Sequence, residues 1–254
     1  MVEENIENQK EEAKKEEETL EKIKSEKFDL QSWNPKTKLG KLVKEGKITS
    51  IEQVFLYGYK ILEPEIVDAL VPDLKYDYIR LSLSKGKYRR PKLVKMVQRK
   101  TAEGNKTSWV SVAVVGNENG YIGVGVGKSW DLSLAMQKAL RNAKLNIIPI
   151  ARGCGSWECA FRTPHSLPFK VEGKSGSVRV ILIPAPRGVG LVAPDEIKKI
   201  LKLAGIKDLW MKSFGQTRKR INFAMATYDA LKKTLEYRIR LEYKDISGIK
   251  IGLA

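Results

Sequence analysis

The chain has 254 residues, a length typical of roughly two domains, and it carries 47 Lys and Arg against 30 Asp and Glu, a net charge of +17. No run is long and apolar enough to span a bilayer, and the first residues lack the basic and apolar regions of a secretory signal, so we expect a soluble, intracellular protein. Such an excess of cations is tolerated most readily where a polyanion neutralises it. Composition therefore favours a nucleic-acid partner, with a merely soluble basic protein as the alternative.

The first 86 residues are predicted to precede the main domains. Residues 1–27 hold ten Glu and six Lys but few large apolar side chains, which is typical of a solvated or disordered charged tail. Residues 28–86 are predicted to form a helical N-terminal extension. Its three short helices should begin at Asn34 and Pro35, which suit the N-cap and the first helical position, after Ser50, and at Pro64.

A first domain is predicted over residues 87–150 from its strand patterns. A first strand is expected near Leu93–Val97. Residues 109–116 and 121–128 then alternate as two strands of a β-hairpin, and the turn at 119–120 is Asn-Gly, which supplies the positive φ that such turns require.

The connector between the first two strands, Arg99–Thr107, is basic and contains a Gly-Asn pair that predicts flexibility. It is either an ordinary solvated turn or a basic finger on RNA phosphates, and the sequence alone does not choose between them. In the second case Lys100 and Lys106 are the expected phosphate contacts.

Three glycines at a spacing of two, Gly123, Gly125 and Gly127, line one face of the second hairpin strand and predict close packing of another element. The next segment has helical periodicity, with a buried stripe expected at Leu132, Ala135, Met136, Ala139 and Ala143. The alternative is a phosphate-binding P-loop, because Gly-Lys-Ser precedes this helix. That pattern would place its first glycine at Ile122, so the spacing is one residue short.

A second domain is predicted over residues 151–240, followed by a C-terminal tail at 241–254. Strands are expected near residues 146–152, 169–172, 177–183 and 208–214, with helices from Pro194 to Gly205 and after Arg218, Lys219 and Arg220. Cations are electrostatically unfavourable beside the positive end of a helix dipole, whereas the free amides at that end attract anions. This helix start therefore suits a bound phosphate.

The chain has two cysteines, Cys154 and Cys159, and one histidine, His165. A structural zinc normally takes four Cys or His ligands, and these three residues are one short. We therefore expect packing residues and no metal or other cofactor. With a single histidine, no His-centred catalytic site can be assembled, so we predict no catalytic residue and no enzyme.

Several ordered motifs resemble the small-subunit ribosomal protein five family, in its archaeal and eukaryotic branch. The resemblance covers about residues 87–235. The segments Trp33–Val43 and Gly153–Cys159 are similar to the longer branch rather than the bacterial one. The motifs are the run Gly120–Lys128 with Ala135–Ala139, then Gly173–Ser177, Ile183–Gly188, Leu203–Asp208 and Ala226–Leu231.

This resemblance implies an α+β protein. The first module would be similar to a double-stranded-RNA-binding domain, with a three-stranded antiparallel sheet plus one helix, and the second would be a C-terminal α/β two-layer module. Only Lys128 precedes the helix start at Ser129, whereas duplex-binding domains carry several lysines there. Recognition of RNA shape by scattered cations and loops is therefore expected instead of generic duplex binding.

The resemblance also implies a function, which is that of a cytoplasmic, structural constituent of the small ribosomal subunit. It would bind ribosomal RNA (rRNA), line the messenger RNA entry region, contribute to decoding accuracy, and contact neighbouring proteins, including proteins three, four and eight of the subunit. A free-standing RNA-binding or unwinding accessory protein is the alternative, and a nucleotide hydrolase a weaker one. The residues expected to contact rRNA are Lys92, Lys95, Arg99, Lys100, Lys106, Lys128, Arg141, Lys144, Arg152, Lys174, Arg187, Arg218, Lys219 and Arg220.

Overall fold

The computed structural model describes residues 33–83, 91–159, 163–237 and 248–252, and within them the chain is a mixed α+β protein. The predictions for the 1–27 tail and for most of the 241–254 tail lie outside these residues. None of the described helices is both long and apolar enough to cross a bilayer. The described residues divide into two compact units, one of 33–72, 78–113 and 125–145, the other of 73–77, 114–124 and the residues from 146 onward. The predicted domain boundaries stay predictions.

Three short helices follow one another near the N-terminus, as predicted: α1 (Lys38–Lys44), α2 (Ile51–Leu56) and α3 (Pro64–Leu70). The predicted start of α1 at Asn34 and Pro35 is wrong. The Glu63 carboxylate accepts hydrogen bonds from the amides of residues 36 and 37, which holds this segment extended. Thr37 is the N-cap instead, since its hydroxyl accepts from the Gly40 amide at 3.1 Å.

The first sheet has five strands rather than three: β1 (Lys75–Tyr78), β4 (Val94–Thr101), β5 (Gly104–Gly116), β6 (Tyr121–Ser129) and β7 (Ile147–Pro149). Their order is β1-β5-β6-β7, and β4 also pairs with β5. A separate antiparallel pair joins β2 (Ser82–Leu83) and β3 (Pro91–Lys92). Strand β1 belongs to the segment predicted as a helical extension, so the extension is not entirely helical.

The hairpin prediction is confirmed, because β5 and β6 are hydrogen-bonded neighbours joined by residues 117–120. Gly120 has the expected positive φ, 102°, and Glu118 has a second one, 55°. The Asn117 side-chain oxygen accepts from the amides of Asn119 and Tyr121 at 2.9 and 3.0 Å, which closes the turn.

Helix α4 (Leu132–Leu145) packs on the glycine face of β6, as predicted. A Cβ at Gly125 would overlap backbone atoms of Ala139 and Ala143, and one at Gly127 would overlap those of Ala135 and Ala139. All five residues of the predicted helical stripe are buried. The glycines are therefore required for contact between the two backbones, and they lie in a strand instead of a phosphate loop.

The elements of the C-terminal region are β8 (Ala151–Arg152), β9 (Val171–Ser175), β10 (Val178–Pro184), β11 (Leu191–Val192), α5 (Asp195–Leu203), β12 (Leu209–Phe214), α6 (Arg220–Lys232), a 3₁₀ turn (Lys233–Leu235) and β13 (Lys250–Ile251). Four of these strands form a sheet in the order β11-β12-β10-β9, with β11 parallel to β12 and the other pairs antiparallel. Helix α6 packs against β9 and β10, and a Cβ at Gly173 would overlap backbone atoms of Ala226 and Ala230. Outside this sheet, β8 pairs with β13.

Replacing Gly127 with Ala is expected to lower the free energy of unfolding by about 1–3 kcal/mol, because the new Cβ would meet backbone atoms that cannot move aside as a side chain can. The matched control is Lys128→Ala on the next residue of β6, whose side chain is exposed. This control should change the free energy by no more than about 0.5 kcal/mol. Urea denaturation measures both, and equal effects would contradict the packing role of Gly127.

Candidate nucleic-acid interface and a Cys–His–Asp cluster

The connector predicted as a flexible loop is the end of a β-hairpin arm. β4 and β5 pair continuously out to Thr101 and Gly104, so only residues 102 and 103 form the turn. The Thr101 hydroxyl donates to the Gly104 carbonyl at 2.8 Å, and Gly104 has a φ of 120°, which disfavours a side chain. Residues 95–107 are all exposed, and we call them the basic arm. The prediction of a flexible loop is wrong, since its cations lie on paired strands.

The cations of the basic arm occupy both of its faces. Arg99 and Lys106 are direct partners across the two strands and share one face, whereas Lys100 is opposite Asn105 on the other face. Like charges opposed in this way destabilise a strand pair. Among the described residues, no carboxylate forms an ion pair with Arg99 or Lys106. The arm therefore presents positive charge that opposes its own folding and that a polyanion would neutralise.

Most of the other predicted cations are also exposed. Lys128 follows the glycine face of β6, Arg141 is on α4, and Lys174 is on β9 beside Gly173. Lys92 is half-buried in β3. The full set of exposed predicted cations is Lys95, Arg99, Lys100, Lys106, Lys128, Arg141, Lys174, Arg187, Arg218 and Lys219.

Lys144 is engaged within the protein, and its predicted contact with RNA stays a prediction. Its Nζ lies 2.7 Å from Asp68 Oδ2, and both side chains are about four-fifths buried, with 20% and 19% exposed. Burial raises the pKa of Asp68, and the neighbouring ammonium of Lys144 opposes that rise. Lys144 therefore compensates a buried carboxylate.

Arg152 is also engaged within the protein and is 6% exposed, and its predicted contact with RNA stays a prediction. Its Nη2 donates to the side-chain oxygen of Asn119 at 2.6 Å and to the Gly252 carbonyl at 3.2 Å. Burial lowers the pKa of Arg152. The guanidinium of Arg152, on β8, thus fastens the β5–β6 turn to β8 and to residue 252.

Arg220 forms an ion pair within the protein, and its predicted contact with RNA stays a prediction. Its Nη1 lies 3.1 Å from Glu196 Oε1, and the two side chains are 27% and 18% exposed. Arg218 and Lys219 precede α6 and are exposed, and Lys219 caps the helix without a side-chain hydrogen bond. Two of the three predicted cations therefore remain beside the free amides of this helix.

Sequence reasoning missed a group of cations on and after α5. Lys198, Lys202 and Lys207 line an open cavity of about 630 Å³ together with Glu118 and Leu191. The sequence signal was present, because Lys198 and Lys202 are four residues apart and so share one face of α5.

The two cysteines and the histidine lie together in the irregular segment after β8. His165 Nε2 is 3.3 Å from Cys154 Sγ and 3.5 Å from Cys159 Sγ. Burial raises the pKa of the Cys154 thiol, and the nearby Cys159 adds to the rise. We call Cys154, Cys159 and His165 the Cys–His cluster.

Asp208 completes this group from just before β12, and sequence reasoning missed it. Its Oδ2 is 2.9 Å from His165 Nδ1, and both side chains are buried. Its Oδ1 accepts from the amides of Gly188 and Gly190 at 3.0 and 2.8 Å. One buried carboxylate therefore orients the imidazole and holds the turn-rich loop before β11.

Comparison with known proteins identifies both halves of the chain. The family description "Ribosomal protein S5, N-terminal domain" matches residues 93–151, and "Ribosomal protein S5, C-terminal domain" matches residues 173–243. The proteins named small ribosomal subunit protein uS5 include that of Nanoarchaeum equitans, which is 55% identical over 224 residues and covers 88% of this chain and 97% of its own. That of Pyrobaculum aerophilum is 51% identical over 212 residues, with 84% and 91% covered. That of Thermofilum pendens is 52% identical over 205 residues, with 81% and 95% covered.

Replacing Lys144 with Met is expected to lower the free energy of unfolding at neutral pH by about 1–3 kcal/mol, because it leaves the Asp68 carboxylate without its cation. The folded-state pKa of Asp68, already raised, should rise further. The folded variant then binds a proton at Asp68 at a higher pH than the unfolded chain does. The loss of free energy of unfolding is therefore complete above the folded-state pKa and becomes smaller as the pH falls through it.

The matched control is Arg141→Met, three residues earlier on α4 and exposed. It should change the free energy of unfolding by no more than about 0.5 kcal/mol at either pH. Urea denaturation at neutral pH and at about pH 4, near the ordinary Asp pKa, makes the comparison. A Lys144→Met deficit of the same size at both pH values would contradict the role of Asp68.

Proposed function

We propose that this chain, which belongs to the ribosomal protein S5 family and to its archaeal type, is a cytoplasmic structural component of the small ribosomal subunit that binds rRNA. The family is one of structural ribosomal proteins, so the prediction that the chain is not an enzyme is confirmed. The names of its relatives support assembly into the small subunit. The observation that supports RNA binding best is the Arg99–Lys106 pair of the basic arm.

The pair supports RNA binding because the interaction between Arg99 and Lys106 is repulsive in the free protein. Arg99 and Lys106 repel each other across the strands, so their juxtaposition lowers the stability of the arm unless negative charge is added. A phosphate placed over this face is attracted by both side chains and removes the repulsion. Release of counterions from the RNA then adds affinity that falls with salt concentration.

The exposed arm can contact phosphates from both of its faces when it is inserted between RNA segments. Arg99 and Lys106 would bind on one face, and Lys100 would bind on the other. The regular strand pairing out to Thr101 and Gly104 fixes the spacing of these cations. Such contacts position a protein on RNA and carry no base specificity of their own. The arm would therefore recognise the shape of the RNA and not its base sequence.

The finer assignments rest on family membership alone and are part of the same proposal. They are a position along the messenger RNA entry region, a contribution to decoding accuracy, contact with proteins three, four and eight of the subunit, and a similarity of the first module to a double-stranded-RNA-binding domain. An antiparallel sheet with α4 packed on its glycine face is compatible with that last similarity.

Replacing Lys106 with Gln is expected to have opposite effects on stability and on binding. Loss of the repulsion with Arg99 should raise the free energy of unfolding of the free chain by about 0.2–1 kcal/mol. Loss of one phosphate contact should weaken binding to small-subunit rRNA and reduce the slope of log affinity against log salt by about 0.7–0.9. Urea denaturation and filter binding at several salt concentrations measure the two quantities.

Two controls carry the same change of charge. Lys100→Gln, on the other face of the arm, should reduce the salt slope without stabilising the free chain, since Asn105 is its neighbour across the strands. Lys232→Gln, on the exposed surface of α6, should leave the slope unchanged. If Lys106→Gln destabilised the free chain and left the salt slope at its original value, the arm would not be the RNA contact that we propose.

A further inference from the structure

The Cys–His cluster has the dimensions of a zinc site, and we propose that Cys154, Cys159 and His165 bind one Zn²⁺ ion. Their donor atoms all lie within 4.8 Å of one another. A tetrahedral zinc with Zn–S bonds of about 2.3 Å and a Zn–N bond of about 2.0–2.1 Å separates sulfur from nitrogen by about 3.5 Å. The observed distances from His165 Nε2 to the two sulfurs, 3.3 and 3.5 Å, match that edge of the tetrahedron.

The histidine is also held in the tautomer that a metal requires. Asp208 Oδ2 lies 2.9 Å from His165 Nδ1 and accepts a hydrogen bond from the Nδ1–H group, which leaves the Nε2 lone pair directed at the two sulfurs. A single cation can be bound by both sulfurs and by this nitrogen at once. A carboxylate on the far nitrogen of the imidazole is the usual outer partner of a zinc-bound histidine.

The backbone brings the ligands together without help from the metal. Gly153 and Ser166 exchange two hydrogen bonds of 2.9 and 3.0 Å, which places the two ends of the segment side by side. A Cβ at Gly155 would overlap the Pro168 carbonyl, so this close approach requires glycine. The His165 carbonyl also accepts from the amides of residues 207 and 208. The site is therefore preformed, which lowers the cost of ordering it on binding.

The number of ligands led us to expect packing residues at these positions, and the geometry points the other way. Asp208 cannot be the fourth ligand, because it contacts the opposite nitrogen of the imidazole. Within the described residues, no further Cys, His or carboxylate joins the group. A water molecule would complete the tetrahedron, as at zinc sites with three protein ligands. Binding converts both thiols to thiolates and releases two protons to solvent.

The experiment measures zinc in the full-length chain, purified with its thiols reduced and equilibrated with ZnCl₂. Mass spectrometry should find about one zinc per chain. The count should stay the same for Glu158→Gln, an exposed carboxylate next to Cys159, and should be lost for Cys154→Ser and for His165→Gln.

A ligand exchange separates loss of zinc from loss of folding. Cys159→His keeps three zinc ligands, so it should retain the metal. With Co²⁺ in place of Zn²⁺, its sulfur-to-cobalt charge-transfer band should fall to about half, because one thiolate remains of two. Asp208→Asn should lower zinc affinity about 10- to 100-fold, which is the range for loss of an outer carboxylate.

Three results would overturn the proposal. One is a wild-type chain that binds clearly less than one zinc ion per chain under these conditions. Another is equal zinc content in the wild type and in Cys154→Ser. The last is a disulfide between Cys154 and Cys159 that persists in the reduced preparation, because the two thiols would then serve each other instead of a metal.

Discussion

The fold depends on direct contact between helix and strand backbones, and it uses this contact twice. α4 packs on Gly125 and Gly127 of β6, and α6 packs on Gly173 of β9. Since no side chain separates the two backbones, neither helix can shift along its strand without a clash. Alternation along a strand then sends the next side chain to the other face. That next residue is lysine in both cases, Lys128 and Lys174, and both are exposed. The contact that fixes each helix therefore also fixes the position of a surface cation.

Burial separates the cations into two groups with different roles. Lys144 is mostly buried and compensates Asp68, because an ammonium and a carboxylate taken from water each need a partner. Arg152 is buried and donates to a neighbouring turn and strand. Arg99 and Lys106 are exposed and are opposed to each other instead of to a carboxylate. A net charge of +17 is therefore spread unevenly. Of the buried cations, Lys144 is paired with a carboxylate and Arg152 is bound to neutral oxygens, whereas Arg99 and Lys106 lie on the surface beside each other.

Sequence patterns predicted the elements whose signals are local and missed those that depend on distant residues. The β5–β6 hairpin follows from alternation and an Asn-Gly turn, and the helix after Pro194 follows from its start signal and its periodicity. The resemblance to a ribosomal protein family rests on short ordered motifs of the same local kind and is confirmed. Strand β1 was missed because its partner β5 is not its neighbour in sequence, and strands β2, β3 and β4 lie between the two. The arm was taken for a loop because Gly104 and Asn105 resemble a flexible connector, whereas pairing with β4 extends it. The ion pair of Lys144 joins residues 76 positions apart, which no local pattern reveals.

The contact of Asp208 with His165 could not be predicted from the sequence, because the two residues are distant along the chain. Asp208 is 43 residues from His165 in the sequence and lies just before strand β12. An aspartate at such a position is ordinarily interpreted as a turn residue. The two oxygens of Asp208 nevertheless hold different segments, one through the imidazole and the other through the amides of Gly188 and Gly190. These two glycines have positive φ values of 96° and 74°, so the loop that presents Arg187 is kept in a conformation that favours glycine. A metal on His165 would make its Nδ1 proton a stronger donor and tighten the bond to Asp208. Through that carboxylate, the Cys–His cluster and the loop that carries Arg187 belong to one hydrogen-bonded structure.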